Sequence, residues 1–525
     1  MMFKRIYSIA LFLGIALCGA MQAYAIPELR AMPTPPDTLV LWVMDQDINA
    51  GSALQKLMKK YTRQSGIPVK IRFVDWGAAF DELNKTLVNE AGEGTDYPDV
   101  LQLGSTWVPY FAKAGLIKPV TELLDAVDTS RFYPEAMKST HIGRDSVVYA
   151  VPWFLDIRGF FANERIWLEL GLHDTEIETY PKFYGVLRAV SEAKVVNGLG
   201  VEVVPLEFGV KEDWTGYQQM SPFLWNFGGD FVAEVDSGYR SALADPLTLK
   251  GLHHYLKLLR DQELSPNNLK ENSAQSADRF VRAEQLMIFG TSELIRKIEF
   301  DTDLGGLMDS PLAKDGIMTI KGPSGPSGNF SFVGGSHLTL PKNSNPIKRH
   351  YAQDLFLFML RADNIDFYSR QCGFIPPDKS LIRIWMQDQR YNHLIEGLEN
   401  HGRSCQNIPE WSEIEMAVNR MVSAIAECLL KNGPDVDDEI TRLVFETHQK
   451  IDRILGYENS ENASAVKERI RNALTQPIDE AKYEKGFGSF KKESGFSLRL
   501  IVVCSLGGVA IVLLLVFSIR RFRKR

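Results

Sequence analysis

Apolar positions from residue 38 onward fall in two alternating rhythms. Short, continuous apolar runs at Thr38–Met44, Val69–Val74 and Asp99–Leu103 predict strands, the first of them buried on both faces. Leu54, Leu57, Met58 and Tyr61 follow the first run at helical spacing and stop near Gly66. Phe80, Leu83 and Leu87 continue that spacing after the second run, and Val108, Tyr110 and Phe111 after the third. Strand, helix, strand, helix is the order of a parallel sheet covered on both faces, where ligands collect at the carboxyl ends of the strands. Tyr149–Asp156 predicts a strand leaving this first lobe. The pattern is then mostly helical to about residue 300, with amphipathic stretches at Tyr180–Ala193, Leu247–Gln262 and Ala277–Phe289. A turn-rich loop, Gly322–Gly328, precedes a strand at Phe330–Leu340 and a helix at Ile347–Arg361. A loop with Pro376 and Pro377 then leads into helices that run to about Gly456. Residues 458–499 are polar and charged and read as a helical or flexible stalk.

Both ends of the chain break this pattern. Residues 500–519 carry no formal charge, a length that crosses a bilayer core as a helix. Arg520, Arg521, Phe522, Arg523, Lys524 and Arg525 follow, and five basic residues against the lone Arg499 place the 520–525 tail in the cytoplasm and everything before Arg499 outside. The tail is too short to form an output domain. At the other end, Lys4 and Arg5 precede the apolar run Ile6–Cys18, and Ala23-Tyr24-Ala25 offers small residues for cleavage, the pattern of a secretory leader over residues 1–25. Lipid attachment at Cys18 fits less well, because Gly14 to Leu17 is a poor lead-in. Pro27–Asp37, with four prolines, reads as an extended lead-in to the folded part. The expected location is the external or periplasmic face of a bacterial inner membrane, single-pass and anchored, with a cytoplasmic C-terminus.

Hydrophobic residues at 45% and charged residues at 24% are those of a globular protein, here long enough for two or three domains. Without the two basic residues of the leader and the five of the tail, the formal charge of −7 becomes about −14. That balance argues against nucleic acid or an anionic surface as partner. Cys372, Cys405 and Cys428 are expected in an oxidising space, as one disulfide and one free thiol, with Cys372 to Cys405 first because both flank loop sequence.

Several chemistries fail on spacing. Asp45-Gln-Asp-Ile-Asn-Ala-Gly51 imitates the start of a calcium loop, but Ala50 stands where the glycine is needed and Lys56 where the bidentate acid is needed. His253-His254 cannot bring both imidazoles to one metal. No phosphate loop, nucleophile elbow or Cys-x-x-Cys pair occurs, so no cofactor, metal or catalytic residue is expected. Glu410, Glu413 and Glu415 read as charges favoured at a helix N-terminus. What remains is a ligand cleft at the strand ends: Trp42 and Asp45 at the end of the first strand, Trp76 past the second, Ser105 and Trp107 past the third. Aromatic plates and planar polar groups suit the flat C–H faces and edge hydroxyls of a polyol.

An ordered series of segments carries a wider resemblance. It comprises Asp99–Trp107, Ala114–Pro119, Tyr149–Trp153 with Arg158 and Asn163, Trp225–Phe231, Phe280–Met287 before Gly290, Phe332–Ser336 and Gly373–Pro377. Over roughly Leu39–Leu455 the chain resembles the extracellular solute-binding proteins of ABC importers, in the carbohydrate branch typified by maltose-binding protein. The chain departs from the usual pattern in its C-terminal span, in Thr291 and Ser292 where an aromatic is common, and in Ser336 and His337 where Trp is common. The resemblance implies an α/β, two-lobed periplasmic-binding-protein fold of the class II type, here with a C-terminal transmembrane helix. The first lobe would span residues 37–152 and 333–370 and the second 153–332 and 371–457. It also implies that Trp153, Asp156 and Arg158 form the hinge and cleft floor, and that Trp225 and Asn226, beside the Gly228-Gly229 pair, face ligand from the second lobe.

The function implied is a monomeric, membrane-tethered receptor. It would capture an uncharged sugar or oligosaccharide between its lobes and deliver it to ABC permease subunits served by a separate ATPase. Two other classes share the same cleft. A sensor would dock its closed form on a receptor kinase or chemoreceptor, and a glycan-acting enzyme would use carboxylates such as Asp45 and Asp156 as acid and base.

Overall fold

The computed structural model describes residues 35–88, 96–236, 238–342 and 345–478. The predicted leader, membrane span and basic tail lie outside the described residues. Among those described, no helix is long and apolar enough to cross a membrane.

The first lobe follows the alternation read from the sequence: β1 (Leu39–Met44), α1 (Ile48–Ser65), β2 (Val69–Val74), α2 (Trp76–Val88), β3 (Val100–Gly104) and α3 (Val108–Lys113). β1 lies between β2 and β3 and pairs parallel with both. All six of its residues are buried. Leu39, Leu41 and Val43 pack on the α1 side with Leu54, Leu57, Met58 and Tyr61, whereas Val40, Trp42 and Met44 pack with Leu83, Leu87 and Phe111. A period of two with both faces apolar is why the run reads as continuous. Asp47 accepts a hydrogen bond from Ala50 N at 2.8 Å as the N-cap of α1, so the residue in the calcium-like sequence serves the helix. Buried Asp99 fastens the sheet, its Oδ2 accepting from Val40 N at 2.8 Å and from Lys348 Nζ at 3.3 Å.

The remaining strands are β4 (Val151–Asn163), β5 (Val204–Glu207), a hairpin of β6 (Val232–Val235) and β7 (Gly238–Ser241), β8 (Gln285–Thr291), β9 (Ile317–Ile320), β10 (Ser331–Thr339) and the short β11 (Gly402–Arg403). β4 extends well past the predicted end at Asp156 and joins the lobes. Its residues from Val151 to Ile157 pair antiparallel with β10, and those from Arg158 to Ala162 pair with β8. One sheet therefore runs β2-β1-β3-β10-β4-β8-β5 through both halves of the molecule.

The helices of the second half include α4 (Tyr180–Ala193), α5 (Gly216–Asn226), α6 (Pro246–Arg260), the short α7 (Glu293–Lys297), α8 (Ala362–Cys372), α9 (Trp411–Lys431), α10 (Val436–Ile454) and α11 (Ala463–Thr475). α8 belongs with the first lobe, where Ile365 and Tyr368 share a core with Tyr61 and Trp153. Phe374, which the resemblance places in the second lobe, packs in that same core.

Three expectations are corrected. Ala277–Phe289 is not one helix: a helix ends at Val281, Ala283 takes the left-handed conformation at φ 55°, and the buried run from Leu286 to Phe289 becomes part of β8. The stalk does not begin at 458, because α11 docks Val466, Ile470 and Leu474 into the second-lobe core beside Leu252 and Val444. Cys372 and Cys405 form no disulfide. Cys372 is buried in the first-lobe core, Cys405 packs against the core of the second, and all three described cysteines are free thiols.

Candidate functional site: a cleft between the lobes

The carboxyl ends of the parallel strands open onto a cavity of about 250 Å³. Asp45 and Gln46 follow β1, Trp76 opens α2 after β2, and Ser105, Thr106 and Trp107 follow β3. The linking strands form the floor, with Phe154, Asp156 and Arg158 from β4 and Phe332, Gly334, Gly335 and Ser336 from β10. From the other side come Trp214, Tyr217 and Gln218 at the start of α5, Thr291, Glu293 and Lys297 around α7, and Glu415 from α9. Gly335 makes the floor possible. At φ 141° it holds a conformation L side chains rarely adopt, and a Cβ there would lie 2.3 Å from the Phe154 carbonyl oxygen.

The walls are aromatic and the edges polar. Trp107 meets Trp76 edge-on at 5.6 Å between ring centroids, and Trp76 lies parallel to Trp214 at 6.0 Å, the planes 9° apart. Asp156 Oδ2 stands 3.4 Å from Arg158 Nη2 and Glu293 Oε1 stands 3.3 Å from Lys297 Nζ. Burial pushes the Asp156 carboxyl up, with Arg158 opposing and Glu293 adding to the rise. The Lys297 ammonium is held above its ordinary range, chiefly by Glu293 and against desolvation. Burial pushes the Glu415 carboxyl up to about 7, while Thr106, Trp107, Tyr217 and Trp411 pull the other way. Arg158 Nε, Asp156 Oδ1 and Glu415 Oε2 are shielded from solvent and have no hydrogen-bond partner.

Six of the residues expected from the sequence come together here: Asp45, Trp76, Ser105, Trp107, Asp156 and Arg158. Four do not. Trp42 is core, its Nε1 donating to Asp96 O at 2.7 Å and its ring covered by the Arg72 guanidinium at 4.2 Å. Trp153 stacks on Tyr368 at 4.3 Å inside the first lobe. Trp225 is fully buried in the second lobe and donates to Asp230 Oδ1 at 3.1 Å. Asn226 holds a loop, donating to Tyr180 Oη at 3.0 Å and accepting from Phe330 N at 2.7 Å, beside a separate small pocket of about 50 Å³. The neighbouring Gly229 brings chain to chain rather than chain to ligand, since a Cβ there would lie 2.4 Å from Thr248 Cα.

Sequence reasoning missed the second-lobe face. Trp214 is half exposed in a polar loop, where no apolar periodicity marks it, and only its stacking on Trp76 brings it to the cleft. Glu415 was masked by its neighbours: it shares a helix start with Glu410 and Glu413, yet one turn after buried Trp411 it faces the cleft. Among the described residues, no group of His, Cys, Asp and Glu is placed to hold a metal ion.

Two α/β lobes linked by long strands, with a cleft at the strand ends, define a solute-binding receptor. The model of the bacterial extracellular solute-binding protein family matches residues 45–365, more than half of the chain, and the chain belongs to that family. It is a solute-binding protein and not an enzyme. The diacetylchitobiose binding protein DasA of Streptomyces coelicolor is 22% identical over 427 residues, 81% of this chain and 92% of DasA. An ABC transporter solute-binding protein from Thermotoga lettingae, solved with alpha-D-tagatose, is 20% identical with a TM-score of 0.65, covering 80% of this chain and 100% of that one. The maltose-bound MalE3 of T. maritima is 19% identical with the same TM-score, covering 79% and 99%.

Proposed function

We propose that the protein captures a sugar or oligosaccharide in the interlobe cleft and presents it to an ABC permease with a separate ATPase, while residues 500–519 anchor it in the membrane. The observation that carries this reading is the pairing, across one cleft, of tryptophan faces from both lobes with planar polar edges. Trp76, Trp107 and Trp214 offer the plates, and Asp45, Ser105, Asp156, Arg158 and Gln218 the edges. DasA and the solved relatives, whose names or ligands are carbohydrates, support the same choice. Ligand that touches both lobes favours the closed form only by its differential affinity for that form. Contacts from α2 and the β3 end on one side and from α5 and α9 on the other provide such a difference. A tether at the far end raises the local concentration of the receptor at its transporter.

The test is a thermal-shift screen of the full-length protein in detergent against sugars, polyols, amino acids and peptides. A ligand at about 100 times its dissociation constant adds about 2.7 kcal/mol of stability. Stabilisation by sugars alone is expected; stabilisation by amino acids or peptides instead would overturn the carbohydrate reading. Retention of the protein in membranes after alkaline wash, and its release when the chain is stopped after Arg499, tests the anchor. Co-purification of permease subunits tests the delivery step.

A further inference from the structure

The charges of the cleft do not cancel. Four acids, Asp45, Asp156, Glu293 and Glu415, line it against two cations, Arg158 and Lys297. Both cations are already paired, Arg158 with Asp156 through Nη2, its Nε keeping no hydrogen-bond partner, and Lys297 with Glu293. Asp45 and Glu415 have no ion-pair partner among the described residues. Two carboxylate oxygens in the cleft, Asp156 Oδ1 and Glu415 Oε2, are shielded from water and accept no hydrogen bond. Around them stand the faces of Trp76, Trp107, Trp214 and Tyr217. Anionic oxygens combined with aromatic faces form the environment that solvates a cation, through ion pairing on one side and the ring quadrupole on the other. A neutral polyol would satisfy the acceptors yet leave an ionised Glu415 without a counter-charge, its Oε2 shielded from water.

We infer that the solute this cleft selects is an amine-bearing sugar in its protonated form, with Glu415 as the residue that reads the ammonium group. The inference rests on the carbohydrate reading above and narrows it. Glu415 reaches from the second lobe to Thr106 and Trp107 of the first, so a cation beside it also closes the lobes. The groups facing it offer no free positive charge. Tyr217 and Cys405 are both pushed up by burial and by the Glu415 charge, Arg403 is held by Asp230 at 2.5 Å, and Arg158 is held by Asp156. The Glu415 carboxyl therefore remains poised near neutrality until a cation arrives and stabilises its ionised form. An external domain with a formal charge of about −14 draws cations toward it.

Three β-1,4-linked disaccharides of one skeleton separate the possibilities: the glucosamine dimer, its N-acetylated counterpart and cellobiose. Titration calorimetry on the full-length protein at about pH 7 should find the amine at least about tenfold tighter than either neutral sugar. Its affinity should fall steeply as salt rises from about 0.05 to about 0.5 M, while any neutral-sugar binding should not. Glu415→Gln should bring the amine-to-hydroxyl ratio toward one. In the unaltered protein at about pH 6, where the amine is already protonated and Glu415 mostly is too, titrations in buffers of different ionisation enthalpy should show proton release with the amine and none with cellobiose, a readout that needs no variant. If the acetylated or hydroxyl sugar binds as tightly as the amine, the charge inference is overturned and the carbohydrate reading stands. If no sugar of any kind binds, the carbohydrate reading falls and this inference with it.

Discussion

Trp76 of the first lobe and Trp214 of the second hold their indole planes 9° apart with ring centroids at 6.0 Å. Trp107 meets Trp76 edge-on, and Phe80 meets Trp107 edge-on in turn, so the first-lobe plate is fixed by packing while Trp214 stands half exposed in its loop. A plate of each lobe facing the other is a clamp whose spacing reports the closure of the cleft.

Removing either plate should therefore weaken ligand binding without unfolding the protein. Trp214→Ala is expected to lower affinity for the best sugar in the screen by about tenfold, roughly 1.4 kcal/mol, with little change in melting temperature. Trp76→Ala should lower it at least as much. Titration calorimetry measures both, and full affinity in the two variants would remove the clamp from the binding site.

Trp42, Trp153 and Trp225 behave as the opposite case. Each is at most 2% exposed, and each sits in a core rather than on the cleft. Substitution by Ala should cost about 3–5 kcal/mol of folding stability, read from the denaturation midpoint. A variant that kept its stability but lost ligand would return that tryptophan to the site.

These two groups show how far the sequence reaches. The alternation of apolar rhythms carries β1 to α3 nearly residue for residue, because a parallel sheet buried on both faces leaves continuous apolar runs and its strand ends mark the cleft. Asp45, Trp76, Ser105 and Trp107 follow from that rule alone. Trp42 fails by three residues: the rule concerns side chains beyond the last strand pairing, and Trp42 still pairs with Arg72 and Leu101 inside the sheet. The second-lobe face was illegible for a different reason. Trp214, Glu293 and Glu415 lie in three segments more than 70 residues apart, brought together by tertiary packing that leaves no periodic trace. Thr291, noted for replacing an aromatic, lines the cleft all the same.

The Gly334-Gly335 pair offers a test of the floor. With φ 141° and the Phe154 carbonyl in the path of a Cβ, Gly335→Ala would force β10 away from β4 where the two lobes join. Loss of at least about 2 kcal/mol of stability is expected, together with weaker ligand binding. Unchanged unfolding and binding would mean that the strands can part there without consequence.

Glu415 makes stability depend on pH with a definite sign. In the unfolded chain its carboxyl titrates near the ordinary 4.5, and burial raises it to about 7 in the folded protein. Below 4.5 both states are protonated and the group has no effect. As pH rises from 4.5 toward 7 the unfolded chain loses the proton first, so folding stability falls, by up to roughly 3 kcal/mol, and then levels off. Glu415→Gln keeps the shape and removes the titration. The variant should match the parent protein near pH 4.5 and exceed it by a few kcal/mol near pH 8. His337, depressed by burial to about 4, acts in the opposite direction: the stability of its neutral buried form is lost as pH falls from 6.5 through 4. That contribution is common to both proteins and cancels in their difference. Denaturation of the pair across this pH range gives the difference curve directly, and a flat curve would mean that the ionised Glu415 carboxylate is fully compensated in the ligand-free cleft.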